Sequence, residues 1–259
     1  MNSNSPHILV TRPKAPGERL IKQLHSNGFQ AISQPLLHYQ PLATSDQFSK
    51  LFNSLSADII IFVSVPAVEQ AHATLSATNW PKCQYIAVGQ ATCTALNKLG
   101  ITQVAVPELQ TSEGLLALPE VADVANKHII IVRGDGGREL IAEKLRERDG
   151  QVSYIESYQR CWLSLDTNIV DEWYKQGVNT ILATSNEILK TILQLIDNKD
   201  NYWKNKCRWI VASDRIAQQA KACGLKQVIC SHGASDSAIL SCLNNLEWDY
   251  DRNEQANKR

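Results

Sequence analysis

HIIIVRGDGGRELIAEKLRERDGQVSYIE, residues 128–156, decides the fold. His128–Arg133 is apolar, β-branched and without alternation, the pattern of a strand buried on both faces. A glycine-rich turn, Gly134 to Gly137, follows at once. Gly137–Asp149 then sets Leu140, Ile141, Lys144 and Leu145 along one helical face, with charges elsewhere. Gly150 stands where a left-handed helix C-cap belongs. Val152–Glu156 reads as a strand again. Strand, helix and strand in about thirty residues form a βαβ unit, whose two strands run parallel.

The same alternation extends in both directions. Strand-like runs occupy Ile8–Thr11, Ala31–Leu36, Asp58–Val63, Tyr85–Val88, Gln103–Val106, Thr180–Ala183, Arg208–Ala212 and Gln227–Cys230. Helical stretches lie between them. Pro13–Asn27 stops at Gly28, Gln90–Leu99 at Gly100 and Asp214–Cys223 at Gly224. About ten strands exceed one small doubly wound sheet, so two sheets of about five are expected. Pro35 and Pro41 bracket Leu36–Gln40, a plausible crossing segment, and Glu156–Leu163 is another. With both as linkers, the middle of the chain is one domain and its two ends form the other. A simple split near the middle satisfies the periodicity equally. After Leu246 the chain turns polar, and Glu247–Arg259 is expected to fray.

The 259 residues carry 26 Lys+Arg and 26 Asp+Glu, and 44% are hydrophobic. That composition buries a core and excludes bulk disorder. Zero net charge argues against a nucleic-acid or anionic-membrane binder, whose affinity rests on excess positive charge. No apolar run approaches the roughly 18 residues that span a bilayer, and the polar start has no secretory character. The seven cysteines form no Cys-x-x-Cys pair and read as reduced thiols of a cytosolic protein. Cys230 with His232 is the one close Cys/His pair. Two ligands fall short of the roughly four of a structural zinc site, so no metal is expected.

Strand ends carry the functional signal. Ile59–Val63 leads to Ser64, Ile86–Val88 to Gly89-Gln90-Ala91-Thr92, Ile181–Ala183 to Thr184-Ser185, and Trp209–Ala212 to Ser213-Asp214-Arg215. Any one of these hydroxyls reads as a helix N-cap. Together they define one face, because the carboxyl ends of parallel strands point the same way, toward a ligand crevice. Helix N-termini there offer free N–H donors and a positive partial charge. A ligand with several carboxylates or phosphates suits such a face without requiring net positive charge. Gly134–Gly137 lacks the spacing of a nucleotide loop and its Lys-Ser/Thr. There is no G-x-S-x-G elbow, and the histidines are scattered.

Several strings resemble uroporphyrinogen-III synthases. They are Ile8-Leu9-Val10-Thr11-Arg12-Pro13, Ala87-Val88-Gly89-Gln90-Ala91-Thr92, Ile131 to Leu140 continuing to Glu156-Ser157-Tyr158-Gln159-Arg160, Val211 to Ala217, and Ala234 to Ala238. The resemblance spans roughly residues 7–245. It implies an α/β fold: two doubly wound parallel-sheet (flavodoxin-like) domains joined by a two-stranded linker. The domains would be 1–37 with 163–259, and 42–157, with linker strands 38–41 and 158–162. The implied substrate is hydroxymethylbilane, a linear tetrapyrrole, and the implied reaction is dehydrating cyclisation with inversion of ring D. The substrate closes unaided to the uninverted isomer, so the enzyme's task is positioning, with help for the departing hydroxide. Tyr158 matches the family tyrosine and would be the acid. Ser64, Thr92, Ser185 and Ser213 match positions that hold substrate carboxylates. Arg12, Arg138 and Arg215 are candidate bidentate partners for carboxylates. No cofactor or metal is implied. A cytoplasmic monomer, with transient hand-over from hydroxymethylbilane synthase, is the expected setting. Two other readings stay open: a non-enzymatic two-lobed binding module for a small anionic ligand, and a nucleotide-dependent transferase built on Gly134–Gly137.

Overall fold

The computed structural model describes residues 6–42, 44–54, 57–137, 139–196 and 201–248. Its strands are β1 (His7–Val10), β2 (Gln30–Ser33), β3 (Leu37–Pro41), β4 (Ile59–Phe62), β5 (Gln84–Ala87), β6 (Val104–Ala105), β7 (His128–Gly134), β8 (Gln151–Trp162), β9 (Thr180–Ala183), β10 (Arg208–Val211) and β11 (Gln227–Cys230). The chain divides into two compact units, Met1–His38 with Trp162–Arg259, and Tyr39–Cys161.

The discontinuous unit holds a five-stranded parallel sheet in the order β2-β1-β9-β10-β11. Numbered along the chain, that is the doubly wound order 2-1-3-4-5, with its switch point between β1 and β9. The continuous unit holds the order β3-β8-β7-β4-β5-β6, in which β8 to β6 run parallel. Its five parallel strands occupy the same spatial pattern, but the chain lays down the three-strand half first. Its switch point lies between β7 and β4.

Both faces of these strands are covered, which is why their sequences do not alternate. In β4, Ile60 and Phe62 join the core of Phe48, Trp80, Tyr85 and Ile130. Ile59 and Ile61 join the opposite core with Leu115, Val121 and Leu145. In the other unit Ile8 and Val10 pack with Leu20, Leu24, Leu182 and Leu243. Burying each such side chain contributes about 1.5–3 kcal/mol.

Element ends differ from the sequence expectation at several places, three of them near the strand crossings and the glycine-rich turn. The helix after β7 spans only Leu140–Arg146, because Gly136 (φ 68°) and Gly137 (φ 138°) hold left-handed backbone before it. β2 stops at Ser33, short of Pro35, which has no N–H to give a ladder. The Glu156–Leu163 crossing segment is a continuation of β8 through Trp162, with β3 beside it at the sheet edge. The tail from 249 onward lies outside the described residues.

Candidate functional site

In the continuous unit the site begins with a β-bulge. Arg133 pairs with Glu156, but the next residue, Gly134, pairs with Tyr158, so β8 carries one extra residue. Ile155 and Tyr158, three apart, would face opposite sides of a regular strand. The bulge turns Tyr158 onto the same core face as Ile155. The extra residue, Ser157, is also buried, its hydroxyl 3.1 Å from the Arg133 carbonyl and 3.3 Å from that of Ala67.

Gly134 makes room for the tyrosine. A Cβ there would lie 2.5 Å from Tyr158 Cζ and 2.9 Å from its oxygen. The Tyr39 ring meets the Tyr158 ring edge-on, centroids 4.9 Å apart. Burial, then the neighbouring Tyr158, pushes the Tyr39 phenol up to about 12, which keeps it protonated. Tyr158 is 3% exposed, and its hydroxyl lies 3.3 Å from Ser64 Oγ. Ser64 lies two residues past the end of β4 and caps the helix Val65–Thr74, accepting from Ala67 N–H at 3.3 Å. The serine therefore links a helix N-terminus to the tyrosine at the sheet's switch point.

Thr92 sits in the first turn of the helix Gln90–Lys98 and is 4% exposed. Gly89 offers that helix no side-chain cap. Gln110 Oε1 accepts from Gln90 N–H at 3.0 Å instead. Arg138 lies outside the described residues.

The Gly134–Gly137 loop is engaged internally. Asp135 N–H donates to the Tyr158 carbonyl at 2.8 Å, and Gly136 N–H points to Glu156 Oε1 at 3.5 Å. Two of the loop's N–H groups thus already face acceptors within the unit. Arg133 pairs with Glu139 at 2.7 Å and Glu156 at 3.2 Å, and stacks on Tyr154. Tyr154 donates to Glu139 at 2.5 Å. That bond, with those from Arg133, holds the Glu139 carboxyl below its usual range. Burial, then Glu139, raises the Tyr154 phenol to about 12.

In the discontinuous unit Ser185 and Ser213 each lie two residues past the ends of β9 and β10. Each caps the following helix, accepting from Ile188 N–H at 3.2 Å and Ile216 N–H at 3.4 Å. Beside Ser185, the Asn186 Oδ1 is buried without a hydrogen-bond partner, a position the sequence gives no reason to single out. Arg215 is exposed in the first turn of the helix Asp214–Ala222.

Arg12 is already engaged. It is 7% exposed, pairs with Asp236 at 2.5 Å and donates to the Ala234 carbonyl. Arg19 reaches the other Asp236 oxygen at 2.9 Å. Burial lowers the Arg12 guanidinium further than Asp236 raises it. At Asp236 burial acts upward, but the bonds from Arg19 and Arg12 outweigh it and hold the carboxyl low. A guanidinium starts so far above neutrality that the pair stays ionised. Its role is to fasten the helix Asp236–Asn244 to the end of β1.

The comparisons with known proteins fit this geometry. A solved uroporphyrinogen-III synthetase from Helicobacter pylori superposes with a TM-score of 0.59 at 14% identity, covering 94% of this chain and 100% of that one. At that identity the likeness speaks for the fold. The uroporphyrinogen-III synthase of Salmonella typhimurium is 35% identical over 91% of this chain and 99% of its own length. That of Escherichia coli is 33% identical over the same shares. A family model described as uroporphyrinogen-III synthase HemD matches residues 18–241. With that match running through both units, the chain belongs to the uroporphyrinogen-III synthase family.

Proposed function

We propose that this chain is a cyclising lyase that converts hydroxymethylbilane to uroporphyrinogen III. The terminal hydroxyl leaves as water, the freed carbon bonds to the substituted carbon of ring D, and that ring inverts as the macrocycle closes. The observation that carries the mechanism is the Tyr158 hydroxyl, 3.3 Å from Ser64 Oγ beside a helix N-terminus. Its O–H supplies a proton to the departing oxygen, an assistance of about 10²–10⁴-fold.

The substrate's carboxylates suit the capped helix N-termini behind Ser64, Ser185 and Ser213, with Asn186 as a further polar contact. Arg215, exposed beside Ser213, is the guanidinium best placed to take a carboxylate. We leave Arg12 out of the binding set because Asp236 and Ala234 occupy it. Thr92 and Arg138 are retained on the family resemblance. We place the enzyme in the cytoplasm as a monomer, receiving its unstable substrate by transient contact with hydroxymethylbilane synthase. The seven free thiols suit a reducing compartment.

The test is a coupled assay. Hydroxymethylbilane is generated enzymatically, this protein is added, and the products are oxidised and separated by chromatography. Predominant isomer III supports the proposal. Isomer I alone, from folded protein, overturns it.

A further inference from the structure

Among the described residues, one group of His, Cys and acidic side chains brings three ligand atoms together: Asp214, Cys230 and His232, all within 4.8 Å of one another. We infer that this group is a binding site for a borderline divalent cation of the zinc(II) class. The inference stands apart from the synthase reading, since no residue proposed above to bind substrate belongs to the group.

The sequence pairs Cys230 with His232 but leaves Asp214 sixteen positions upstream. Topology supplies it. β10 and β11 are parallel neighbours in register, Val211 opposite Cys230. The residues that leave their carboxyl ends therefore meet at one edge of the sheet. Asp214 opens the helix after β10, Cys230 ends β11, and His232 follows two residues on.

The spacing fits a metal. Cys230 Sγ lies 3.6 Å from His232 Nδ1, and that nitrogen lies 3.9 Å from Asp214 Oδ2. Tetrahedral zinc, with Zn–S about 2.3 Å and Zn–N about 2.0 Å, requires ligand separations of about 3.3–3.6 Å. Rotation of two exposed side chains covers the difference. Thiolate, imidazole and carboxylate together suit zinc-class ions over calcium or magnesium.

The backbone holds the ligands in place. His232 adopts φ 50°, a left-handed conformation uncommon outside glycine. Ser231, between the two ligands, is 8% exposed, with its N–H on the Val211 carbonyl at 2.8 Å. Its hydroxyl lies 2.8 Å from the Gly233 carbonyl and 3.1 Å from that of Val211. Cys230 and His232 are thus fixed on the same side of a pinned turn. Three protein ligands leave a fourth position for water or a carboxylate. On binding, the Cys230 thiol loses its proton to solvent as the Sγ–metal bond forms.

Cobalt(II), added anaerobically to the reduced full-length protein, is the probe. One equivalent is expected to give a thiolate-to-cobalt charge-transfer band in the near ultraviolet, which zinc(II) then abolishes. Cys230→Ser should remove the band, while Cys223→Ser, at an exposed thiol elsewhere, should leave it. His232→Asn tolerates the left-handed turn. It should weaken binding more than the roughly 10–100-fold that loss of an outer-shell partner brings. Unchanged melting of each variant without metal separates ligand loss from misfolding. A wild-type protein without the band overturns the inference. So does a band that survives Cys230→Ser, or one that depends on Cys242, whose Sγ lies 3.9 Å from the Cys230 carbonyl.

Discussion

Replacing Gly134 by alanine tests the link between the bulge and the chemistry. The new methyl would lie 2.5, 2.7 and 2.9 Å from Cζ, Cε2 and the oxygen of Tyr158. Ordinary carbon contacts begin near 3.5 Å, so ring and strand must separate by about 1 Å. Gly134 is not among the residues with left-handed backbone, so the whole penalty is the collision. The ring has few directions in which to yield. Tyr39 packs against it, it is buried in the same core as Phe62 and Trp80, and Ser64 Oγ lies 3.3 Å from its hydroxyl. Overpacking of this kind costs about 1–3 kcal/mol. At about 2–4 °C per kcal/mol, the melting temperature should fall by roughly 5 °C. A 1 Å misplacement of a reacting group costs about 10²-fold in rate. Gly134→Ala should therefore remain folded and lose about a hundredfold in isomer III formation, read by the coupled assay beside a thermal melt. The double variant Gly134→Ala, Tyr158→Leu should regain stability without regaining activity, a non-additivity expected of touching residues. Gly134→Ala protein with wild-type melting and wild-type turnover would refute the reasoning.

Two further outcomes are expected. Tyr158→Phe should keep its melting temperature within a few degrees and slow isomer III formation by at least about tenfold, within reach of general acid assistance; a loss under about threefold removes the acid role. Asp236→Asn should destabilise the protein at neutral pH by removing the partner of a buried guanidinium, by about 3 kcal/mol. Asp236 titrates low when folded. Its contribution is therefore present above the usual carboxylate range and lost as pH falls through the folded value. The gap between variant and wild type should narrow below about pH 4, followed by denaturant melts across pH; a gap that widens on acidification would contradict the pairing.

The sequence made the strand–helix alternation legible because burial on both faces gives unbroken apolar runs such as Ile59–Phe62. It also marked the hydroxyls at strand ends, because capping chemistry is local. What it could not convey depends on non-local register. Nothing in the spacing of Ile155 and Tyr158 announces a bulge, which arises where Gly134 faces the tyrosine across the strand pair. Arg12 read as a candidate partner for a substrate carboxylate because the carboxylate it pairs with, Asp236, lies 224 positions away. Asp214 was invisible as a companion to Cys230 and His232 until two parallel strands set them at one edge. Tyr39 lay in an expected linker, and only the structure sets its ring against Tyr158.

The order in which the chain lays down its two sheets bears on its synthesis. Tyr39–Cys161 is continuous, so every partner its core needs is present once residue 161 has left the ribosome. The N-terminal β1–helix–β2 piece is different. β1 is a central strand whose second neighbour, β9, starts at Thr180. At about 5–20 residues per second, roughly 170 residues of translation separate the two, or about 8–34 s. Ile8, Val10, Leu20 and Leu24 meanwhile wait for the strand and helices that will cover them. The nascent chain thus carries an apolar, half-built sheet at its front while a finished unit folds behind it. Chaperone capture or misassociation during synthesis should therefore concentrate on the first 38 residues, and a chain truncated after Cys161 should retain a folded second unit behind an unfolded leader.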